Sequence, residues 1–355
     1  MGKPSMLGVL LAAAAIGASP VLQQLAPEPS GIAATVSEDR LDEIMLMPAG
    51  DDWSPATFLD LRNPWPDNYV EEFHQPFEPW TFAKNAAAIA HFVKTRGSSP
   101  AVDKMIQYLS FVAGLYTRSE GGCTYVANEF DYQQMWSVFF SGFKGAFMNA
   151  VTAYGYIYLF EASGDRTYLQ TARTLLESAA ECESDTVKLH SVDGQGQFWL
   201  NEYVFHVPPQ DEGLFRAMGF EQNADGTFRS RIYNGHIHAL LAYIKYEKVA
   251  GVDDFDDVIM KAIETIRFYL PSQLHDDRFF SYQVELPEYP DYGQERAVTL
   301  AEGLCEITGY DDLCDIARKM RTSFDERIRG SETALYEAGE AVARERVERW
   351  RAAHP

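Results

Sequence analysis

Apolar positions recur every three or four residues over residues 82–95 and again over 101–117, where Val102, Met105, Ile106, Leu109 and Val112 share one helical face. Gly97-Ser98-Ser99-Pro100 separates the two stretches, so a first pair of helices is predicted. The helical period returns over 143–162 and 168–180, over 235–249 and 255–270, and over 295–307 and 313–328. In each of these later pairs the break is a glycine followed closely by aspartate: Gly164-Asp165, Gly251-Val252-Asp253 and Gly309-Tyr310-Asp311. Glycine ends a helix in the left-handed conformation and aspartate caps the next, so these breaks predict helical hairpins forming a divergent internal repeat.

Extended, aromatic-rich stretches fill the gaps, over 120–133, 186–205 and 278–285. Hairpins with short β insertions at one end predict a mainly α fold, an incomplete (α/α)6-type toroid whose insertions form a groove across one face. Residues 334–350 predict a charged helix packed externally or at a subunit contact. Residues 36–79 are acidic, aromatic and proline-rich, with Trp53, Trp65, Phe73 and Phe77 in no period, and are expected to wrap the surface or line the groove.

The opening Met1-Gly2-Lys3, the apolar run over 6–18 and the following Ser19-Pro20 have the make-up of a signal peptide or N-terminal anchor, and the run is short for a membrane span. The expected organisation is this segment over 1–19, a linker over 20–37, a toroid domain over 38–328 and a charged helix over 329–355. Export would let the four cysteines, Cys123, Cys182, Cys305 and Cys314, form disulfides. Cys305 and Cys314 lie almost symmetrically about the Gly309-Tyr310 break, where helices folding back would join them; two buried free thiols are the alternative. The 52 acidic residues exceed the 30 lysines and arginines, a formal net charge of -22. Non-specific binding to nucleic acid or an anionic membrane is thereby disfavoured, and a polyanionic substrate requires a local basic groove.

Residues 197–235 concentrate the candidate chemistry. Glu202 and Tyr203 follow Trp199 in a run bounded by turn formers and Pro208-Pro209, which places them on a strand end or loop. Strand neighbours face opposite ways, so both reach one pocket only if the strand ends there. Arg229 and Arg231 share a parity just before the helix that starts near Asn234, and in an extended segment both can face one groove. His236 and His238, two apart on a helix, point to different faces and read as core or groove residues rather than a zinc pair. Asp253-Asp254 and Asp311-Asp312 read as helix N-termini; no cofactor is required, although a structural Ca2+ between the extended insertions is compatible with the composition.

The runs Trp199-Leu200-Asn201-Glu202-Tyr203 and Ile232-Tyr233-Asn234-Gly235 followed by an apolar helix, with Asp291-Tyr292 further on, resemble motifs of the D-glucuronyl C5-epimerases that act on heparosan and heparan sulfate. The likeness runs from about residue 141 to 327. It implies a dimeric α/α barrel that inverts C5 of glucuronate within an acidic polysaccharide, with Glu202, Tyr203, Tyr292 and Tyr282 at the catalytic positions. The family arginine expected to meet the substrate carboxylate falls at Val284 here, and the histidine after the last tyrosine is Gly293. Arg229, Arg231 and Arg296 are then the candidates for that charge, with Arg231 favoured and Trp199 and Asn234 completing the substrate contacts.

Inverting such a carbon means removing a proton α to a carboxylate and returning one to the opposite face. A cation must neutralise the carboxylate, a base must titrate near neutrality, and a phenol can donate. A uronate lyase would begin with the same abstraction, a hydrolase would need a second carboxylate such as Glu285 or Glu288, and a non-catalytic glycan-binding protein would keep the scaffold alone. On spacing alone, Glu202 reads more readily as a capping or surface carboxylate than as a catalytic one, and most of the 19 tyrosines as packing residues.

Overall fold

The computed structural model describes residues 31–46, 79–129, 131–134, 137–182, 184, 187–275, 278–291 and 293–354. The signal or anchor segment over 1–19, most of the linker, the aromatic stretch over 47–78 and Tyr292 lie outside the described residues.

The expected hairpins are present. They are α3 (Pro79–Arg96) with α4 (Pro100–Tyr116), α5 (Ala146–Ser163) with α6 (Arg166–Glu181), α8 (Tyr233–Ala250) with α9 (Asp256–Gln273), and α10 (Gln294–Thr308) with α11 (Asp311–Ser323). Gly164, Gly251 and Gly309 end their helices with φ of 71°, 68° and 64°, the left-handed region that a side chain would strain. The aspartates differ in role. Asp165 caps α6 by accepting the Thr167 N–H at 2.9 Å. Asp256, Asp257, Asp311 and Asp312 instead occupy first turns, where they favour the helix dipole, and Glu247 takes the Phe255 N–H at 2.6 Å.

Helices α5 and α8 are buried on nearly every side, α5 lying against α3, α6 and α8. Ring side chains from the first two turns of α5 and α8 meet α3: Trp80 stacks on Phe147 at 6.4 Å between ring centres and lies 4.9 Å from the His238 ring. The N-terminal ends of α3, α5 and α8 therefore gather at one end of the bundle.

Short antiparallel strands crowd that end. β1 (Thr117–Glu120) pairs with β2 (Cys123–Val126), β3 (Tyr132–Gln134) with β4 (Ser137–Phe139), and β5 (His190–Val192) with β6 (Phe198–Leu200). β7 (Tyr203–Phe205), β8 (Glu221–Gln222) and β9 (Phe228–Ser230) form a sheet in the order β7-β9-β8, and β10 (Leu274–His275) pairs with β11 (Phe279–Phe280). Between them α7 (Pro209–Ala217) forms where Pro208-Pro209 had suggested only a break, because proline is tolerated at the first helical position.

Residues 31–37, read from sequence as the end of a linker, instead form α1 (Gly31–Thr35) and a turn with Ala33 and Val36 buried, followed by α2 (Glu38–Leu46). Cys305 and Cys314 are bonded with their Cα atoms 4.7 Å apart, and Cys123 and Cys182 with theirs 5.7 Å apart. The charged helix α12 (Glu332–Ala353) packs on its own chain. Its Gly339 sits against Pro290, its Trp350 against Gly213, and the Tyr289 hydroxyl donates to Tyr336 at 3.0 Å. Among the described residues, no helix is long and apolar enough to cross a membrane.

Candidate active site

Glu202 falls in the two-residue interval between β6 and β7, where the chain turns across the start of α5. The Asn201 carbonyl accepts the Ala146 N–H at 2.8 Å, and Lys144 bridges Val204. A side chain on Gly145 would overlap the Glu202 carbonyl, and one on Gly235 would overlap its carboxylate. Two glycines thus let the glutamate sit between the first turns of α5 and α8. The strand does end here, so the alternation that would separate Glu202 from Tyr203 is interrupted.

Only 4% of Glu202 is exposed. Its Oε1 accepts the Tyr282 hydroxyl at 3.1 Å, while Oε2 finds no hydrogen-bond partner among the described residues. Burial pushes the carboxyl up to about 7; hydrogen bonds from Tyr203 and Tyr282 and the positive charge of Arg296 oppose that rise. The Tyr203 ring is held edge-on by Phe139 and Phe143 at 5.7 and 5.9 Å. Tyr282 is positioned through its backbone, its carbonyl accepting the Tyr233 N–H at the start of α8.

Asp291, just before α10, is the second buried carboxylate. Its Oδ1 accepts the Gly293 N–H at 2.7 Å and Arg296 Nη2 at 3.3 Å, and its Oδ2 accepts Asn234 Nδ2 at 3.4 Å. Burial raises its carboxyl above the usual range, with Arg296 acting the other way. Asn234, Arg296, Glu202, Tyr203 and Tyr282 therefore belong to one cluster. A charge that acts on both carboxylates marks Arg296 as its cation.

The other candidates lie elsewhere. Arg231, favoured from sequence, is drawn to Glu285 at 2.8 Å and Asp193 at 3.4 Å rather than to Glu202. Arg229 is paired with Glu221, its Nε donating at 3.0 Å, because its place opposite Val204 in the β7–β9 pair sends it to the other face from Ser230. Trp199 is fully buried, its indole N–H donating to Asp193 at 3.1 Å, so it is a wall of the core rather than an open platform for a sugar. Glu285 is held by Arg231 and Glu288 by Arg346, which leaves neither facing Glu202 as a hydrolytic partner. Tyr292 lies outside the described residues.

The two histidines differ sharply. His236 Nδ1 accepts the Leu200 N–H at 3.0 Å and Nε2 meets the Ala262 carbonyl at 3.1 Å, which fixes it as a core residue. His238 is 3% exposed, and neither ring nitrogen has a partner among the described residues. Burial, with the charge of Arg296 added, lowers it to about 3 and keeps it neutral. His238 and the glycine contacts of Glu202 escape a reading by motif, and Asp291, part of the Asp291-Tyr292 run, was given no role there, since each gains its meaning only when α5, α8 and α10 meet. Among the described residues, no group of His, Cys, Asp and Glu side chains is arranged to hold a metal ion. No protein-family model matches the chain, and no curated protein matches it.

Proposed function

We propose that the protein is an exported C5-epimerase of hexuronic acid residues in an acidic polysaccharide, of the kind the glucuronyl C5-epimerases represent. The helical hairpins are read as an α/α toroid whose inner helices start at the mouth that holds the site. The observation that carries the proposal is a buried glutamate raised to about 7, with a phenol on one oxygen, the other oxygen without a partner among the described residues, and the charge of an arginine acting on it.

Glu202 would remove the C5 proton while Arg296 neutralises the sugar carboxylate, into which the electron pair of the broken C–H bond moves. A tyrosine, Tyr292 or Tyr203 as the resemblance implies, would have to give its phenolic proton to C5 from the face away from the base and regain one from solvent. Tyr282, bonded to Glu202, orients the base. Arg296 replaces Arg231 in this scheme because it shares surroundings with Glu202.

The test is deuterium exchange at C5 of heparosan and other uronate polymers in heavy water. Wild-type protein should incorporate deuterium, and Glu202→Gln, with an unchanged circular dichroism spectrum, should not. Exchange into no uronate polymer overturns the reading. Ultraviolet absorbance of an unsaturated product would make the enzyme a lyase, and binding without exchange or cleavage would make it a glycan-binding protein. The proximity of Asp291, a second buried carboxyl raised by burial, favours a hydrolase as the second reading, recognised by new reducing ends.

A further inference from the structure

We propose that His238 touches the substrate directly, its imidazole hydrogen-bonding hydroxyls of the sugar whose carboxylate meets Arg296. This rests on the uronate reading of the site. Asn234, Gly235 and His238 are spaced three and four apart on α8 and so share one helical face. Gly235 lies against the Glu202 carboxylate and Asn234 reaches Asp291, so the same face carries His238 into the cluster.

A buried polar atom without a partner destabilises a fold, and among the described residues His238 has two. His236, two residues earlier, satisfies both of its nitrogens with backbone groups, so the helix does not force this state on a histidine. A ligand that supplies both a donor and an acceptor would relieve it. A hydroxyl does so, since it donates to the bare ring nitrogen or accepts from the protonated one. Trp80 at 4.9 Å and Phe147 at 6.1 Å between ring centres give the imidazole an aromatic wall, the kind of surface on which the C–H face of a sugar packs. Burial, with the charge of Arg296 added, keeps the ring uncharged, so charge recognition stays with arginine and hydroxyl recognition with histidine.

The full-length, disulfide-bonded Glu202→Gln protein, labelled with nitrogen-15 in histidine, is titrated with a heparosan hexasaccharide. The His238 ring nitrogens should shift on binding, and His236 should not. His238→Phe in the same background should weaken binding at least about tenfold while leaving thermal stability equal or higher. His238→Gln should recover part of the affinity. Unmoved His238 resonances at saturation, or undiminished binding by His238→Phe, overturn the proposal. Hexasaccharide binding without C5 exchange by the wild type overturns the epimerase reading alone, and absence of binding overturns both.

Discussion

Glu202 combines features that oppose one another thermodynamically. An ordinary glutamate titrates near 4.5, whereas burial moves this one to about 7. Between those values the folded protein holds the proton more tightly than the unfolded chain, so stability present below about pH 4.5 is lost as pH rises through 7. Glu202→Gln cannot titrate and escapes that loss. The variant should therefore gain stability over wild type as pH rises, by on the order of 3 kcal/mol between pH 4 and 9. His236 and His238, lowered by burial, weaken the fold in the opposite direction as pH falls, but they are common to both proteins and cancel. Urea unfolding of the pair across this range measures the difference, and parallel stability curves would mean that the carboxyl is hydrated and unperturbed. On the proposed reading, a base kept at the expense of stability is the expected trade at such a position.

At the scale of elements, α12 is the piece whose role changes most between sequence and structure. Its charged composition suggests an external helix, yet Gly339, Tyr336 and Arg346 grip Pro290, Tyr289 and Glu288. That loop joins Tyr282 to Asp291, so the helix braces two residues of the cluster without touching Glu202. Removing residues 331–355 should leave the hairpins folded, speed amide exchange over 281–291, and lower C5 exchange about tenfold or more through misplacement of Tyr282. Unchanged amide protection over that loop would show the brace to be dispensable.

The periodic elements were legible from the start, because glycines 164, 251 and 309 punctuate runs of strong helical period. Glu202, Tyr203 and Tyr282 were legible through resemblance. Arg296 was one arginine among three, and Arg231, favoured from sequence, is drawn instead to Glu285 and Asp193, carboxylates 54 and 38 residues away in sequence. Pairings at that separation leave no local signal.

Over the whole molecule, an excess of negative charge has to be accommodated even in the interior. Lys245 of α8 is 1% exposed in its side chain and lies 3.1 Å from Asp42, 3.2 Å from Glu161 and 3.6 Å from Glu38. Its ammonium also faces the Tyr158 ring at 5.0 Å, and Tyr154 donates to Asp42 at 2.9 Å. One cation thus ties α2 to α5 and α8. Burial lifts Glu161 to about 7, with Lys245 resisting and the neighbouring carboxylates Asp42 and Glu38 adding to the rise. Lys245→Met keeps the volume but leaves the carboxylates facing one another, and should lose about 3–5 kcal/mol at pH 8. The deficit should shrink as pH falls through the raised range of Glu161, because protonation removes the repulsion. Ten residues of α8, roughly 15 Å, separate Lys245 from Gly235, so C5 exchange per folded molecule should be unaltered. Denaturant unfolding at pH 8 and 5 reads both effects. A loss below about 1 kcal/mol at pH 8 would place the cluster in water instead, on the scale of surface pairs, and α2 would then be held by the burial of Leu41, Ile44, Met45 and Leu46 and by the pairing of Arg40 with Glu306.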